Sequence, residues 1–152
     1  DLVFVFVMGG PGVGKGTQCE RAAQRFGLKN VSVGDLLRRE RSLPDSLYND
    51  FIGKSFRENV PVPPGLVMKL PSVELQGLGV DGNRVRRMIL DGFPLSEDQL
   101  NAFEEEVSPR YSTIVMECPV EVMLQRLTER AMSSDREHDA PERVNRRINS
   151  FQ

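Results

Sequence analysis

Gly9, Gly14 and Lys15 stand at the spacing G-x-x-x-x-G-K within Gly9-Gly-Pro-Gly-Val-Gly-Lys15. That spacing suits phosphate binding: glycines let successive backbone N–H groups turn around phosphate oxygens, and a lysine adds a mobile positive charge. The first hydroxyl is delayed, because Gly16 follows the lysine and Thr17 comes after it. Arginines are further candidate cations, since their planar forks suit phosphate. Asp91 follows the apolar run Met88-Ile-Leu90, and an acid at the carboxyl edge of a parallel sheet sits where ligands bind. His138 is the only histidine, and no Ser/His/Asp set or metal-ligand cluster is recognisable. Cys19 and Cys118 match no metal spacing and read as buried thiols in a reducing, cytoplasmic compartment rather than as a redox pair. With a net charge of −2, nothing in the overall balance points to nucleic acid or an anionic membrane, and any anion must be met by local placement of Arg and Lys.

The elements that must position these groups alternate between strands and helices. Residues 2–8 are apolar without alternation, as in a strand covered on both faces, and the run is too short for a membrane span or a signal peptide. The phosphate loop follows, then a helix from Lys15 to Phe26 closed by Gly27, with Cys19, Ala22, Ala23 and Phe26 at helical spacing. A strand over Asn30–Val33 leads to a helix with Asp35 as N-cap. A further helix is expected over Ser46–Glu58. Val60 to Pro64 must be non-helical because of its three prolines, and a helix over Leu66–Leu75 is weakened by Pro71. Residues 77–86 read as a loop, Arg87–Leu90 as a strand and Glu97–Val107 as an acidic amphipathic helix. Thr113–Met116 is a strand and Val120–Arg130 a helix. Residues 133–140 form a loop before a last helix opened by Pro141. A chain of 152 residues with 39% hydrophobic residues can bury one core, so a single α/β domain with a doubly wound parallel sheet is expected.

G-G-P-G-V-G-K-G-T-Q-C resembles the phosphate loop of the nucleoside monophosphate kinases, the adenylate and UMP/CMP kinases, including the Lys-Gly-Thr variation. Ser32-Val-Gly-Asp-Leu-Leu-Arg38 resembles their monophosphate motif, Val62-Pro63 the floor of that site, and Asp91-Gly-Phe-Pro94 their segment after the third strand. The resemblance implies a P-loop NTPase-type domain over 1–152, with a monophosphate-binding insert over 33–75 and a short lid over 131–141. It implies ATP-dependent phosphoryl transfer to a nucleoside monophosphate, with Mg²⁺. Lys15, Arg130, Arg136 and Arg147 would be catalytic. Gly10, Pro11, Gly12, Val13, Gly14, Lys15, Gly16, Thr17 and Arg130 would hold ATP. Val33, Gly34, Arg38, Val62, Gly92, Phe93, Gln99, Arg136 and Arg147 would hold the monophosphate, with Gln99 as a base-reading amide and Asp91 on the metal through water. Val33 stands where adenylate kinases usually carry a hydroxyl residue, so UMP or CMP is expected ahead of AMP.

Several positions depart from the family. Leu95 replaces an arginine that grips the acceptor phosphate, and Asp135 replaces a lid glycine. His138 and Ala140 replace an acid and an amide, and Asn59 and Ala131 replace glycines. Loss of one charge-assisted phosphate contact costs about 1.5–3 kcal/mol, or roughly 10- to 150-fold, unless Arg86 or Arg87 takes over. Two readings follow: a kinase weakened by Leu95 and Asp135, or a degenerate kinase that binds nucleotide as a regulatory module. Family members also carry a fifth strand and a final helix. The chain is therefore expected to continue beyond residue 152, or to self-associate through an exposed edge of the strand over Thr113–Met116.

Overall fold

The computed structural model describes residues 2–69, 86–107, 110–133 and 141–149. Four strands, β1 (Leu2–Gly9), β2 (Lys29–Ser32), β3 (Arg86–Asp91) and β4 (Tyr111–Met116), pair in parallel in the order β2-β3-β1-β4. The helices are α1 (Lys15–Phe26), α2 (Val33–Ser42), α3 (Asn49–Glu58), α4 (residues 64–69), α5 (Glu97–Glu106), α6 (Val120–Ser133) and α7 (Pro141–Asn149). No helix among the described residues is long and apolar enough to cross a membrane.

The pleat of β1 divides the core. Phe4 and Phe6 face one side with Met88 and Leu90 of β3, and pack on α2, α3, α4 and Phe103 of α5. Val7 faces the other side with Ile89 and packs on Cys19, Ala22 and Ala23 of α1. This period-two division is what a strand buried on both faces requires. Ring edges bind the larger core together: Phe103 lies 4.9 Å from Phe4 and 5.0 Å from Phe6, both edge-on. A third cluster, Met123, Leu127, Val144 and Ile148, joins α6 to α7.

The connection from β1 through α1 leads to β2 on one side of the sheet. The connection from β3 through α5 leads to β4 on the other, with α1 and α5 on opposite faces. Strand order therefore reverses between β1 and β3, and the crevice beyond their carboxyl ends is where open parallel sheets take ligands.

Several local expectations change. Ser32, not Asp35, caps α2: its hydroxyl accepts from the Asp35 amide, so β2 stops at Ser32 and Val33 is the first helical residue. The helix expected from Ser46 starts at Asn49, because Ser46 bonds to Glu40 in a turn and Leu47 is 92% exposed. Pro64 begins α4, where its missing N–H costs no hydrogen bond. Phe26, at the end of α1, is 63% exposed rather than inward. Cys19 is buried as expected, whereas Cys118 is only half-buried. Asn59 stands at the C-cap of α3 with φ 55°, a left-handed conformation that Asn tolerates and that explains a glycine in the family. The remainder of the expected insert, residues 70–75, and most of the lid, residues 134–140, lie outside the described residues.

Candidate functional site

A single cleft of about 1510 Å³ runs over the carboxyl ends of β1, β2 and β3. Its walls include Lys15, Gly16 and Thr17 at one end and Val33, Gly34, Arg38, Val62 and Gln99 at the other.

The first end is built by the strand–loop–helix passage from β1 to α1. Gly14 caps α1 in a left-handed conformation with no side-chain bond to the helix, and no acid stands in the first turn. The amides of that turn and the positive end of the helix dipole together suit an anion. Lys15 Nζ donates to the carbonyls of Gly9 at 2.6 Å and Gly10 at 3.0 Å, folded back over its own loop. Pro11, Gly12, Gly14, Gly16 and Thr17 line the cleft, while Val13 and Gly10 are buried behind it.

Asp91 ends β3 in register with Val7, and the next residue, Gly92, donates its amide to the Val7 carbonyl at 3.1 Å. The acid is 8% exposed yet still lines the cleft. A Cβ placed on Gly16 would lie 3.5 Å from Asp91 Oδ2, so the position after the lysine faces the acid directly. Burial, reinforced by the nearby Asp91 charge and partly offset by Lys15, pushes the Cys19 thiol up to about 11. Asp91 and Thr17 both line the cleft, and oxygen-bearing side chains are the donor chemistry that Mg²⁺ takes together with substrate phosphates. Among the described residues no group of three or more His, Cys, Asp or Glu is placed to hold a metal ion.

The second end lies between α2, α3, α4 and the turn after β3. Arg38, on the first turns of α2, pairs with Asp35 three residues earlier. Its guanidinium lies against Gly34, where an added Cβ would meet Nη1 at 3.3 Å. Val33 and Val62 are buried wall residues, and Gly92 borders the same space. Gln99 is 1% exposed and tied at both ends: Nε2 donates to the Val62 carbonyl at 2.7 Å, and Oε1 accepts from the Leu95 amide at 2.8 Å. Phe93 sits behind the wall, edge-on to Phe6 at 5.3 Å, and acts through the core.

The Leu95 side chain is 62% exposed on the cleft wall. Neither Arg86 nor Arg87 can replace a cation there. Both stand at the start of β3, and four strand residues at roughly 3.3 Å each put Arg87 about 13 Å from the Asp91 end.

Arg130, on α6, lines the cleft as expected. Arg147 belongs to α7, which the Met123–Leu127–Val144–Ile148 cluster fastens to α6, but its side chain lies outside the described residues. Arg136, Asp135, His138 and Ala140 also lie outside them. One cation escaped the sequence reading. Arg126, also on the cleft wall, donates from Nη1 to the carbonyls of Gly12 at 3.3 Å and Val13 at 3.1 Å. Its place four residues before Arg130, on the same face of one helix, was the available signal.

Comparison with known proteins agrees with this arrangement. The family described as adenylate kinase matches residues 7–152. A UMP-CMP kinase of Xenopus tropicalis is 38% identical over 151 residues, covering 97% of this chain and 76% of its own. A uridylate kinase of Saccharomyces cerevisiae is 35% identical over 147 residues, covering 97% of this chain and 71% of its own. The UMP-CMP kinase of Homo sapiens is 34% identical over 150 residues, again covering 97% of this chain and 76% of its own.

Proposed function

The chain belongs to the adenylate kinase family of nucleoside monophosphate kinases, and from that premise we propose that it transfers the terminal phosphoryl group of ATP to UMP or CMP, with AMP a poorer acceptor. The observation that carries the proposal is the continuity of the cleft. One space of about 1510 Å³ joins the phosphate loop to Arg38 and Gln99. Single small-molecule sites span about 300–1,000 Å³, so this space suits two nucleotides held end to end. The acceptor preference is supported by the buried Val33 on the wall and by relatives named UMP-CMP kinase and uridylate kinase.

Phosphoryl transfer asks a protein mainly for in-line placement and for charge neutralisation on the moving group. Lys15 would leave the Gly9 and Gly10 carbonyls for the donor phosphates, which would also meet the amides at the start of α1. Arg38 would exchange Asp35 for the acceptor phosphate. Arg130 lines the same cleft from α6 and would meet the charge on the moving group, and Arg136 and Arg147 are assigned to the same charge by their places in the family motif. Asp91 and Thr17 would hold Mg²⁺, Asp91 through water. When bound, the ion neutralises charge on the donor phosphates. Cytoplasmic placement suits these substrates and the two free thiols.

A second reading, a nucleotide-binding module without turnover, draws on Leu95, which puts an apolar side chain on the acceptor wall where the family motif has an arginine. A coupled ADP-release assay with UMP, CMP, AMP and dTMP in turn separates the two. Turnover with UMP or CMP above AMP is expected. ATP binding without turnover on any acceptor would replace the kinase reading with the module.

A further inference from the structure

We propose that Arg41 and Arg57 form a second oxyanion site, outside the cleft, where α2 crosses α3, and that it takes a phosphate group. Neither arginine lines the cleft, so the proposal stands apart from the kinase reading.

The two arginines meet at Gly53. This residue is buried in the middle of α3, where glycine is among the least favoured residues. A Cβ added to it would lie 3.2 Å from Arg57 Nη1 and 3.3 Å from Arg41 Nε, so both nitrogens stand within 3.3 Å of one point. Each arrives for its own reason. Helical side chains lean back over the preceding turn, which brings Arg57 along α3 towards Gly53, four residues earlier. Arg41 belongs to the last turn of α2. That turn is fastened to α3 by Asn49, whose Nδ2 donates to the Arg41 carbonyl at 2.7 Å. Asn49, Gly53 and Arg57 recur every four residues along one face of α3, and the end of α2 rests on that row. A side chain at position 53 would occupy the place where the two heads converge.

Two cations around one point repel, and an anion between them relieves the repulsion. The acids of the two helices are placed otherwise. Glu40 accepts from the Ser46 hydroxyl at 2.6 Å. Asp50 precedes Arg57 by nearly two turns, roughly 10 Å along the axis, and is spaced to face Lys54. Glu58 follows Arg57 directly, and adjacent helical residues do not face each other. Asp45 is exposed in the turn between the helices. A guanidinium carries five N–H donors, so either head can serve a neighbour and still offer an N–H to the anion. Phosphate suits the pair. Its tetrahedral oxygens can be met from two helices at once, and its double charge answers two cations.

The site lies behind one end of the cleft. From α2, Val33 and Arg38 line the cleft, and from α3, Ser55 and Phe56. A phosphate bridging Arg41 and Arg57 would pin these two helices together from outside. That phosphate can be the inorganic ion or part of a nucleotide.

Calorimetry with inorganic phosphate and, separately, with UMP would test this. It would compare the wild-type chain with Arg57→Gln, Gly53→Glu and Gly53→Gln, and use Lys15→Met and Arg38→Gln as controls for the cleft. One phosphate-binding event is expected to survive in both controls, to weaken about tenfold in Arg57→Gln and to vanish in Gly53→Glu, whose carboxylate fills the site. That carboxylate should also raise the melting temperature above that of Gly53→Gln in low salt, with the gap closing at about 1 M salt as the charges are screened. Arg57 is exposed, so Arg57→Gln carries the test if the Gly53 variants do not fold. A second UMP-binding event that Gly53→Glu removes would support a nucleotide phosphate as the occupant, and phosphate binding without such an event would support the inorganic ion. Loss of all phosphate binding in Lys15→Met or Arg38→Gln would overturn the proposal, since the anion would then bind only in the cleft. Unchanged affinity in Arg57→Gln, or equal melting temperatures for Gly53→Glu and Gly53→Gln, would overturn it too.

Discussion

Gln99 Nε2 donates a 2.7 Å hydrogen bond to the Val62 carbonyl, joining positions 37 residues apart across the end of the cleft proposed for the acceptor. The amide cannot be reversed, because the Leu95 N–H that meets Oε1 can only donate and the Val62 carbonyl can only accept. One buried side chain therefore fixes both the floor loop around Val62 and the turn at Leu95. Gln99→Glu keeps the acceptor for Leu95 and removes the donor for Val62. A buried carbonyl left facing a carboxyl group costs about 1–3 kcal/mol, so the melting temperature should fall. The acceptor KM should rise about tenfold while the ATP KM stays within about twofold. Steady-state kinetics with each substrate varied in turn would check this, and an equal rise in both KM values would show that Gln99 supports the whole cleft rather than its acceptor end.

Leu95 offers the converse test. Its side chain is exposed on the wall, so an arginine fits without repacking, and its amide bond to Gln99 is untouched by the change. Leu95→Arg should raise kcat/KM for the acceptor by about tenfold or more, the value of one regained charge-assisted phosphate contact. An active wild-type enzyme that gains nothing would mean that the acceptor phosphate is already fully held, with Arg38 the candidate in view.

The Cys19 thiol lends the fold a pH dependence of defined sign. Burial, then the Asp91 charge, raise it from 9.0 to about 11 in the folded chain. Between those values the unfolded chain has lost the proton and the folded chain still holds it, so stability falls as pH rises from about 9 towards 11. Melting curves from pH 7 to pH 10.5 should decline more steeply for the wild type than for Cys19→Ala, whose packing cost does not titrate. Parallel curves would show that the thiol contributes nothing to the decline.

Among the described residues β4 pairs on one side only, with β1, and carries no charged side chain. Ile114 is 52% and Val115 56% exposed on successive positions, so apolar surface is open on both faces of this edge. Edges of this kind pair with other chains. Self-association at roughly micromolar concentration is the expected behaviour, and Ile114→Lys should shift the chain towards monomer in sedimentation velocity. A wild-type chain that stays monomeric at about a hundred times that concentration would remove the idea that this edge drives association.

The order of strands and helices, the phosphate loop and the acid at the end of β3 were all legible in the residues. Each depends on short-range chemistry: unalternating β-branched runs, glycine spacing, and an acid after an apolar strand. The family resemblance extended that reading to Arg38 and Arg130, which the cleft does bring onto its walls with Lys15 and Asp91. Other features were decided only by tertiary structure, because they depend on which groups meet across the sheet. The cap of α2 passed from Asp35 to Ser32 once β2 had to end in register with Asp91. Phe93 turned into the aromatic cluster, since a ring recovers more by packing on Phe6 than by standing on a wetted wall. Gln99 became a tie between two loops because burial left its amide in need of partners at both ends. Arg126, one of many charged residues in its helix, meets the Gly12 and Val13 carbonyls only because Gly12 lets α6 come close enough for its guanidinium to reach the loop.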